Sequence, residues 1–267
     1  GLSRPEWRYD NATGRVRMIT AQRVSKFAAK SASRAGIALR GLLGASARLH
    51  CPACGQQVID FYRYGAMAQW GCPHCDASPR ERLVNYLLDT GGLTLPQGAT
   101  VLHVAPGEAS LVRRFGAAGG TYIPADLDPS RYAVAGVRKV DLMNMGMTAE
   151  IDLFYASHVM EHVPDDACVL RNIYAALRPG GQAWLIVPLW DQPSEDGLPD
   201  MSGIERERRF GQWDHVRQYG MDFADRIRAA GFEVDLLRAS DLAANVVANM
   251  ALDDVIFRAR KPGSAEQ

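Results

Sequence analysis

Two cysteine pairs, Cys51-Pro52-Ala53-Cys54 and Cys72-Pro73-His74-Cys75, lie 17 residues apart, directly ahead of a long alternation of apolar runs and helical patterns. A Cys-x-x-Cys turn lets two thiolates converge on one ion, and the intervening residues suffice for a hairpin that brings both turns together. Tetrahedral zinc is the natural occupant of such a set. Disulfides are the alternative, but the rest of the chain holds one further cysteine, Cys168, and shows no secretory signal pattern. Four thiolates fill a zinc shell and leave no position for substrate or reactive water. Cys51, Cys54, Cys72 and Cys75 are therefore expected to hold a structural zinc. His74 could replace one thiolate, yet with four sulfurs available it reads as an exposed turn residue.

Of the 267 residues 47% are apolar, enough for a large core, and no apolar run approaches the roughly 20 residues that cross a bilayer. The net charge of +0 hides an asymmetry, because residues 1–48 carry ten Arg or Lys against Glu6 and Asp10. Within that basic arm Val24, Phe27, Ala28, Ser31, Ala35, Ala38 and Leu42 recur at helical spacing, with Arg23, Lys26, Lys30 and Arg34 largely off the stripe. Three roles remain open for it: packing on the protein's own body or a partner chain, peripheral contact with anionic lipid or nucleic acid, or a mobile or targeting-type arm.

The chain divides into an arm over 1–48, a ribbon over 49–78 and a larger domain over 79–267. Ser78-Pro79-Arg80-Glu81 is a capping box that starts a helix, ended by Gly91-Gly92. Val101 to Val104 reads as a buried strand breaking at Ala105-Pro106-Gly107, with a helix over 110–115. Thr121 to Ala125 is a second strand leading into Asp126, and Pro129 opens another helix. Val137 to Val140 leads to Asp141, Ile151 to Ala156 is a further strand, Asp165 to Leu177 a helix, and Ala183 to Val187 the next strand. A helix over 221–230 precedes two strands, 232–237 and 255–259. This alternation predicts an α/β fold, a doubly wound and mostly parallel sheet. In such sheets ligands bind beyond the carboxyl ends of the strands. There the turn 105–109 brings backbone close to a ligand, Asp126 can accept from two ribose hydroxyls, Asp141 from an adenine amino group, and Ser157 and His158 follow the fourth strand.

Taken together these stretches resemble the class I S-adenosylmethionine-dependent methyltransferases from about Thr100 to Lys261. Val-Leu-His-Val-Ala-Pro-Gly-Glu-Ala is similar to their first motif, Tyr-Ile-Pro-Ala-Asp-Leu-Asp to the acidic second, Val-Asp-Leu-Met to the adenine motif, and Ile-Asp-Leu-Phe-Tyr-Ala-Ser-His-Val-Met-Glu-His-Val to the fourth. Leu177-Arg178-Pro179-Gly180-Gly181 before a hydrophobic strand is also typical. The ribbon, with the segment Phe210 to Arg217, resembles a bacterial subgroup whose first motif reads His-x-Ala-Pro. The resemblance implies a seven-stranded sheet whose last two strands are antiparallel, and S-adenosylmethionine as cofactor. It implies that His103, Ala105, Pro106, Gly107, Asp126, Leu127, Asp141, Leu142, Ser157 and His158 bind the cofactor. The sequence departs from the family where His103 replaces an acid and Ala105 and Ala109 replace glycines. Alanine avoids positive φ, so this turn must use allowed angles or hold the amino acid end of the cofactor differently.

Methyl transfer needs alignment and a dry site more than a nucleophile. A hydroxyl acceptor needs a base, and His215, in Asp214-His215-Val216-Arg217 with Tyr219, is the first choice, ahead of His158. Glu161-His162 imitates a metal or acid/base pair, but in the resembled family it usually begins a helix with a structural role. Arg206, Arg208 and Arg209 could hold an anionic acceptor. The expected function is methylation, on oxygen or nitrogen, of a small molecule or sugar such as a specialised metabolite or glycan precursor. The alternatives are an RNA methyltransferase gripping RNA through ribbon and arm, and a non-catalytic binding or scaffold protein. Against RNA, residues 51–75 contain only Arg63 among Arg and Lys. An oligomer is compatible with the sequence. Cytoplasmic residence is expected, since the donor is made there and reduced thiols favour zinc.

Overall fold

The computed structural model describes the backbone of residues 6–10, 15–19 and 21–263, and side chains from 27 to 263. It divides into two compact units, Gly1–Tyr86 with Leu242–Asp253, and Leu87–Asp241 with Asp254–Gln267. The boundary thus falls inside a helix rather than at residue 79, and the segment 242–253 belongs with the cysteine-bearing unit rather than the larger domain. Among the described residues no helix is long and apolar enough to cross a membrane.

In the first unit, strands Glu6–Asp10 and Arg15–Ile19 pair antiparallel ahead of helix α1 (Ala21–Leu42). The cysteine turns are carried on short antiparallel pairs, Leu49–His50 with Gln57–Val58 and Tyr62–Tyr64 with Met67–Gly71. Gly71 is required there, because a Cβ would sit 2.2 Å from the Tyr62 ring. The arm is helical, but the stripe read from the sequence faces outward: Phe27 and Leu42 are 69% and 86% exposed, and Ala28, Ser31, Ala35 and Ala38 are exposed as well. The face turned to the ribbon is the basic one. Arg34 donates to Asp76 Oδ1 and the Pro73 carbonyl, Lys30 lies 3.4 Å from Asp76, Arg40 pairs with Asp60, and Ile37 is buried between them. Lys30 and Arg34 also lie over the Tyr62 ring. Electrostatic and cation–π pairing selects this face, which an apolar count cannot see. The cations of the arm before residue 27 lie outside the described side chains.

Helix α2 (Pro79–Thr90) starts as predicted, with the Glu81 N–H donating to Ser78 Oγ. Its Arg82 is fully buried. The guanidinium lies 3.9 Å over the Phe61 ring and donates to the carbonyls of Gln69, Trp70, Ala77, Met250 and Ala251, fastening the ribbon loops to the helix Ala244–Met250. Burial lowers its pKa to about 10, which still leaves it charged at neutral pH.

The second unit is built on seven strands: β1 (Thr100–Val104), β2 (Thr121–Asp126), β3 (Arg138–Lys139), β4 (Ile151–Ser157), β5 (Leu177–Ile186), β6 (Glu233–Arg238) and β7 (Val255–Arg260). Their order is β6-β7-β5-β4-β1-β2-β3, and β7 alone runs against the others. This is the predicted doubly wound sheet with its closing hairpin. Between the strands lie α3 (Ala109–Gly116), α4 (Asp166–Ala176), α5 (Gly203–Phe210) and α6 (Phe223–Ala229). Asp165 caps α4 by accepting from the Cys168 N–H, while Pro129 opens only a short 3-10 turn. Leu102, Phe154, Leu185 and Phe257 on the strands meet Val169, Ile173 and Ile227 on α4 and α6, all 0% exposed. The chain reverses its winding direction between β1 and β4, and the carboxyl ends of these two strands, with β2, bound the site.

Candidate active site

A cleft of about 410 Å³ opens at those strand ends, lined by Val104 and Ala105 at the end of β1, Asp126 and Leu127 at the end of β2, Val140 to Met143, His158 and Val159, His162 to Pro164, and Gln212 with Asp214. Asp126 sits at its inner wall, 8% exposed, accepting from the Asp128 N–H through Oδ1 and from the Tyr132 hydroxyl through Oδ2, each at 2.8 Å. Among the described residues no ion pair engages it. The partner hydroxyl on Tyr132 is harder to ionise than usual, through burial and then the Asp126 contact. Asp141 caps the 3-10 turn Leu142–Asn144 by accepting from the Met143 N–H.

The sequence placed Ala105 in a turn of allowed angles or altered binding. It adopts φ +54°, a left-handed conformation that costs a non-glycine residue of order 1–3 kcal/mol. The Gly107 N–H closes the turn on the Ala105 carbonyl at 2.7 Å. His158, at the end of β4, is left-handed as well, with φ +55°. Two left-handed residues thus follow the ends of the neighbouring strands β1 and β4, and both line the cleft. Strain concentrates where surrounding structure holds a functional geometry.

His103, Pro106, Gly107, Ser157 and His215 do not line the cleft. His103 is fully buried, with Nδ1 3.0 Å from the Tyr122 hydroxyl and Nε2 3.5 Å from Glu108. Tyr155 donates to the same carboxylate at 3.4 Å. Glu108, at the head of α3, thus places a buried carboxylate beside His103, a position that no acidic motif in the sequence marks.

The far wall is built by the return of the chain after α5. Ser202 and Glu205 form a capping box that starts this helix, and Gly211 ends it with φ +81°. The Val216 N–H donates to the Glu161 carbonyl, buried Arg217 donates to the carbonyls of Met160, Val163 and Pro164, and the Tyr219 hydroxyl donates to Met160 O and Asp166. Arg217 and Tyr219 are thereby structural bolts rather than acceptor ligands. Arg209 is paired with Glu195, and Arg206 and Arg208 lie away from the cleft.

This fastening lays His215 edge-on against His162, with ring centroids 4.8 Å apart. His215 Nδ1 is 2.9 Å from the Phe210 carbonyl, and burial lowers its pKa. It stands behind the wall rather than on it, because His162 intervenes. His158 and His162 occupy the cleft surface, and buried Glu161 lies 3.6 Å from His158 Nδ1 and 4.0 Å from His162 Nε2. Of the pair Glu161-His162, His162 lines the cleft and Glu161 is buried behind it.

In the first unit the four cysteine sulfurs all lie within 4.8 Å of one another, with Cys51 to Cys75 at 3.8 Å and Cys54 to Cys72 at 3.9 Å. A tetrahedron with zinc–sulfur bonds of about 2.3 Å has edges of about 3.8 Å, whereas a disulfide needs about 2.05 Å. The geometry fits one metal and no disulfide. His74 is exposed and outside this set.

A methyltransferase-domain family model matches residues 77–237. The chain belongs to the class I S-adenosylmethionine-dependent methyltransferases. An uncharacterized methyltransferase of Mycobacterium sp. strain JLS is 32% identical over 108 residues, 38% of this chain and 43% of that protein. The ubiquinone biosynthesis O-methyltransferase of Pseudomonas paraeruginosa is 28% identical over 115 residues, 38% of this chain and 48% of that protein. The chain thus matches less than half the length of these curated relatives. The chain also shares its fold with the (4+2)-cyclase SpnF, with a TM-score of 0.51, 16% identity, and 92% and 97% of the two chains covered.

Proposed function

We propose that the protein transfers a methyl group from S-adenosylmethionine to a hydroxyl of a small molecule, and that its cysteine unit holds a structural zinc. The observation that carries this reading is that one cleft holds both Asp126, at the end of β2, and His158, at the end of β4, with buried Glu161 3.6 Å from the His158 ring. A carboxylate offers about four lone-pair sites, so Asp126 can hold a ribose hydroxyl on each oxygen in addition to its present donors. Leu127, Val140 and Leu142 supply an apolar slot for adenine beside Asp141. The turn at Ala105 then meets the amino acid end, and the sulfonium methyl points toward His158.

Transfer is an in-line displacement. As the acceptor oxygen forms its bond to the methyl carbon, the carbon–sulfur bond breaks and the sulfonium becomes a neutral thioether. The hydroxyl proton passes to the imidazole of His158, which Glu161 orients from behind. Two features favour a small molecule over RNA: the cleft's size lies in the range of small-ligand pockets, and Lys30, Arg34 and Arg40 are already paired with Asp76 and Asp60. The similarity to a ubiquinone O-methyltransferase points the same way. Cytoplasmic residence belongs to this reading, because donor supply and reduced thiols are found there.

The test incubates the purified protein and S-adenosylmethionine with the small-molecule and RNA fractions of a cell extract. Mass spectrometry should find a gain of one methylene mass in the small-molecule fraction. Asparagine tolerates the left-handed backbone, so His158→Asn should bind cofactor normally while turnover falls about 10²- to 10⁴-fold. Methyl groups found only in RNA, or full turnover in His158→Asn, would overturn the reading.

A further inference from the structure

We propose that Glu161, His162 and His215 bind a divalent transition-metal cation on the acceptor side of the cleft, distinct from the cysteine site. This rests on the methyl-transfer reading of the same cleft and specifies how the acceptor oxygen is activated. One donor atom from each of the three residues lies within 4.8 Å of the others. Metal bonds of about 2.1 Å put donors about 3 to 4 Å apart, so a displacement on the order of 1 Å about the soft terminal torsion of Glu161 closes the set.

The orientation of the two rings is the independent observation. His215 Nδ1 lies 2.9 Å from the Phe210 carbonyl, and His162 Nδ1 lies 3.4 Å from the Asp214 carbonyl and 3.5 Å from its carboxylate. Each Nδ1 thus has a backbone carbonyl to donate to, a partner that favours the Nδ1–H tautomer and leaves Nε2 as the ligating nitrogen, as in metal-bound imidazoles whose tautomer an outer partner fixes. The His162 Nε2 edge faces Glu161, whose side chain is 1% exposed. Buried Arg217 and the Val216 N–H hold this arrangement by bonds to the carbonyls around Glu161, so the donors are set on rigid backbone. Two imidazoles and a carboxylate suit zinc, manganese, iron, cobalt or nickel, whereas calcium and magnesium favour all-oxygen shells. Three protein ligands leave open positions, and His162 brings the cation to the cleft surface. A bound acceptor hydroxyl would lose its proton more readily, passing it to His158 before its oxygen attacks the methyl carbon.

Manganese(II) is the probe, because it competes poorly for the thiolate site and leaves the ribbon zinc in place. Electron paramagnetic resonance titration of the zinc-loaded protein should show one bound Mn²⁺ per chain. Glu161→Gln and His215→Ala should each weaken it about 100-fold or more, at least the loss seen when outer-shell partners are removed. Calorimetry with S-adenosylhomocysteine on the same samples reports folding and the cofactor site separately. Cofactor binding without Mn²⁺ uptake overturns the cation and leaves methyl transfer standing. Mn²⁺ uptake unchanged in both variants also overturns it. Mn²⁺ uptake that depends on these residues, in a protein that ignores the cofactor, supports the cation and removes the methyl-transfer reading.

Discussion

Ala105 and His158 illustrate what single positions ask of this fold. Each turns the chain out of a central strand at the cleft, and each does so at a positive φ without being glycine. Ala105→Gly should leave thermal stability within about 1 kcal/mol, because relieved strain offsets the added freedom of the unfolded chain, and cofactor binding should persist. Ala105→Val should lower both stability and cofactor affinity, since a β-branched side chain fits this conformation poorly. Differential scanning calorimetry with cofactor titration separates these outcomes. At this scale the carboxylates were legible: Asp126 and Asp141 could be read from their places at strand ends. Glu108 could not, because its burial beside His103 depends on the angle at which α3 leaves the turn. His215 was legible as part of a polar cluster but not as standing behind His162, since that depends on how the loop after α5 is bolted down.

Among elements, strand periodicity and the Ser78 cap of α2 survive translation into structure, while the facing of α1 does not. The apolar stripe of α1 was weak, built largely of alanine and serine, and the ribbon offered Asp60 and Asp76 instead. Arg82 shows the same limit, as one buried cation organises loops distant in sequence. Arg82→Met should destabilise the cysteine-bearing unit by about 2–4 kcal/mol, because several buried carbonyls lose their donor. Thermal melts with zinc release as readout should show both losses together. Acid should act on another element. Asp196 has a depressed pKa, first through its bond to Arg226 and then Arg217. A carboxylate held below its unfolded value stabilises the fold above the ordinary carboxylate range and stops doing so as pH falls through the folded pKa. Asp196→Asn should therefore lower stability near neutrality and flatten the acid limb below about pH 4, by a small amount because the group is half-exposed. Urea melts across that pH range measure it.

For the molecule as a whole, two independent signals in the sequence, thiolate spacing and strand–helix alternation, each specified a unit by local chemistry. The unit boundary was less legible, because the segment 242–253 joins the cysteine-bearing unit through contacts such as the Arg82 bonds, which no local pattern encodes. The central claim is that the carboxyl ends of β1, β2 and β4 form a nucleoside site clasped by Asp126. Calorimetric titration of S-adenosylhomocysteine into the intact protein and Asp126→Ala tests it most directly. One site per chain is predicted, weakened on the order of 100-fold in the variant by the loss of two hydrogen bonds to a charged group. No binding to the intact protein, or equal affinity in both, would contradict the account.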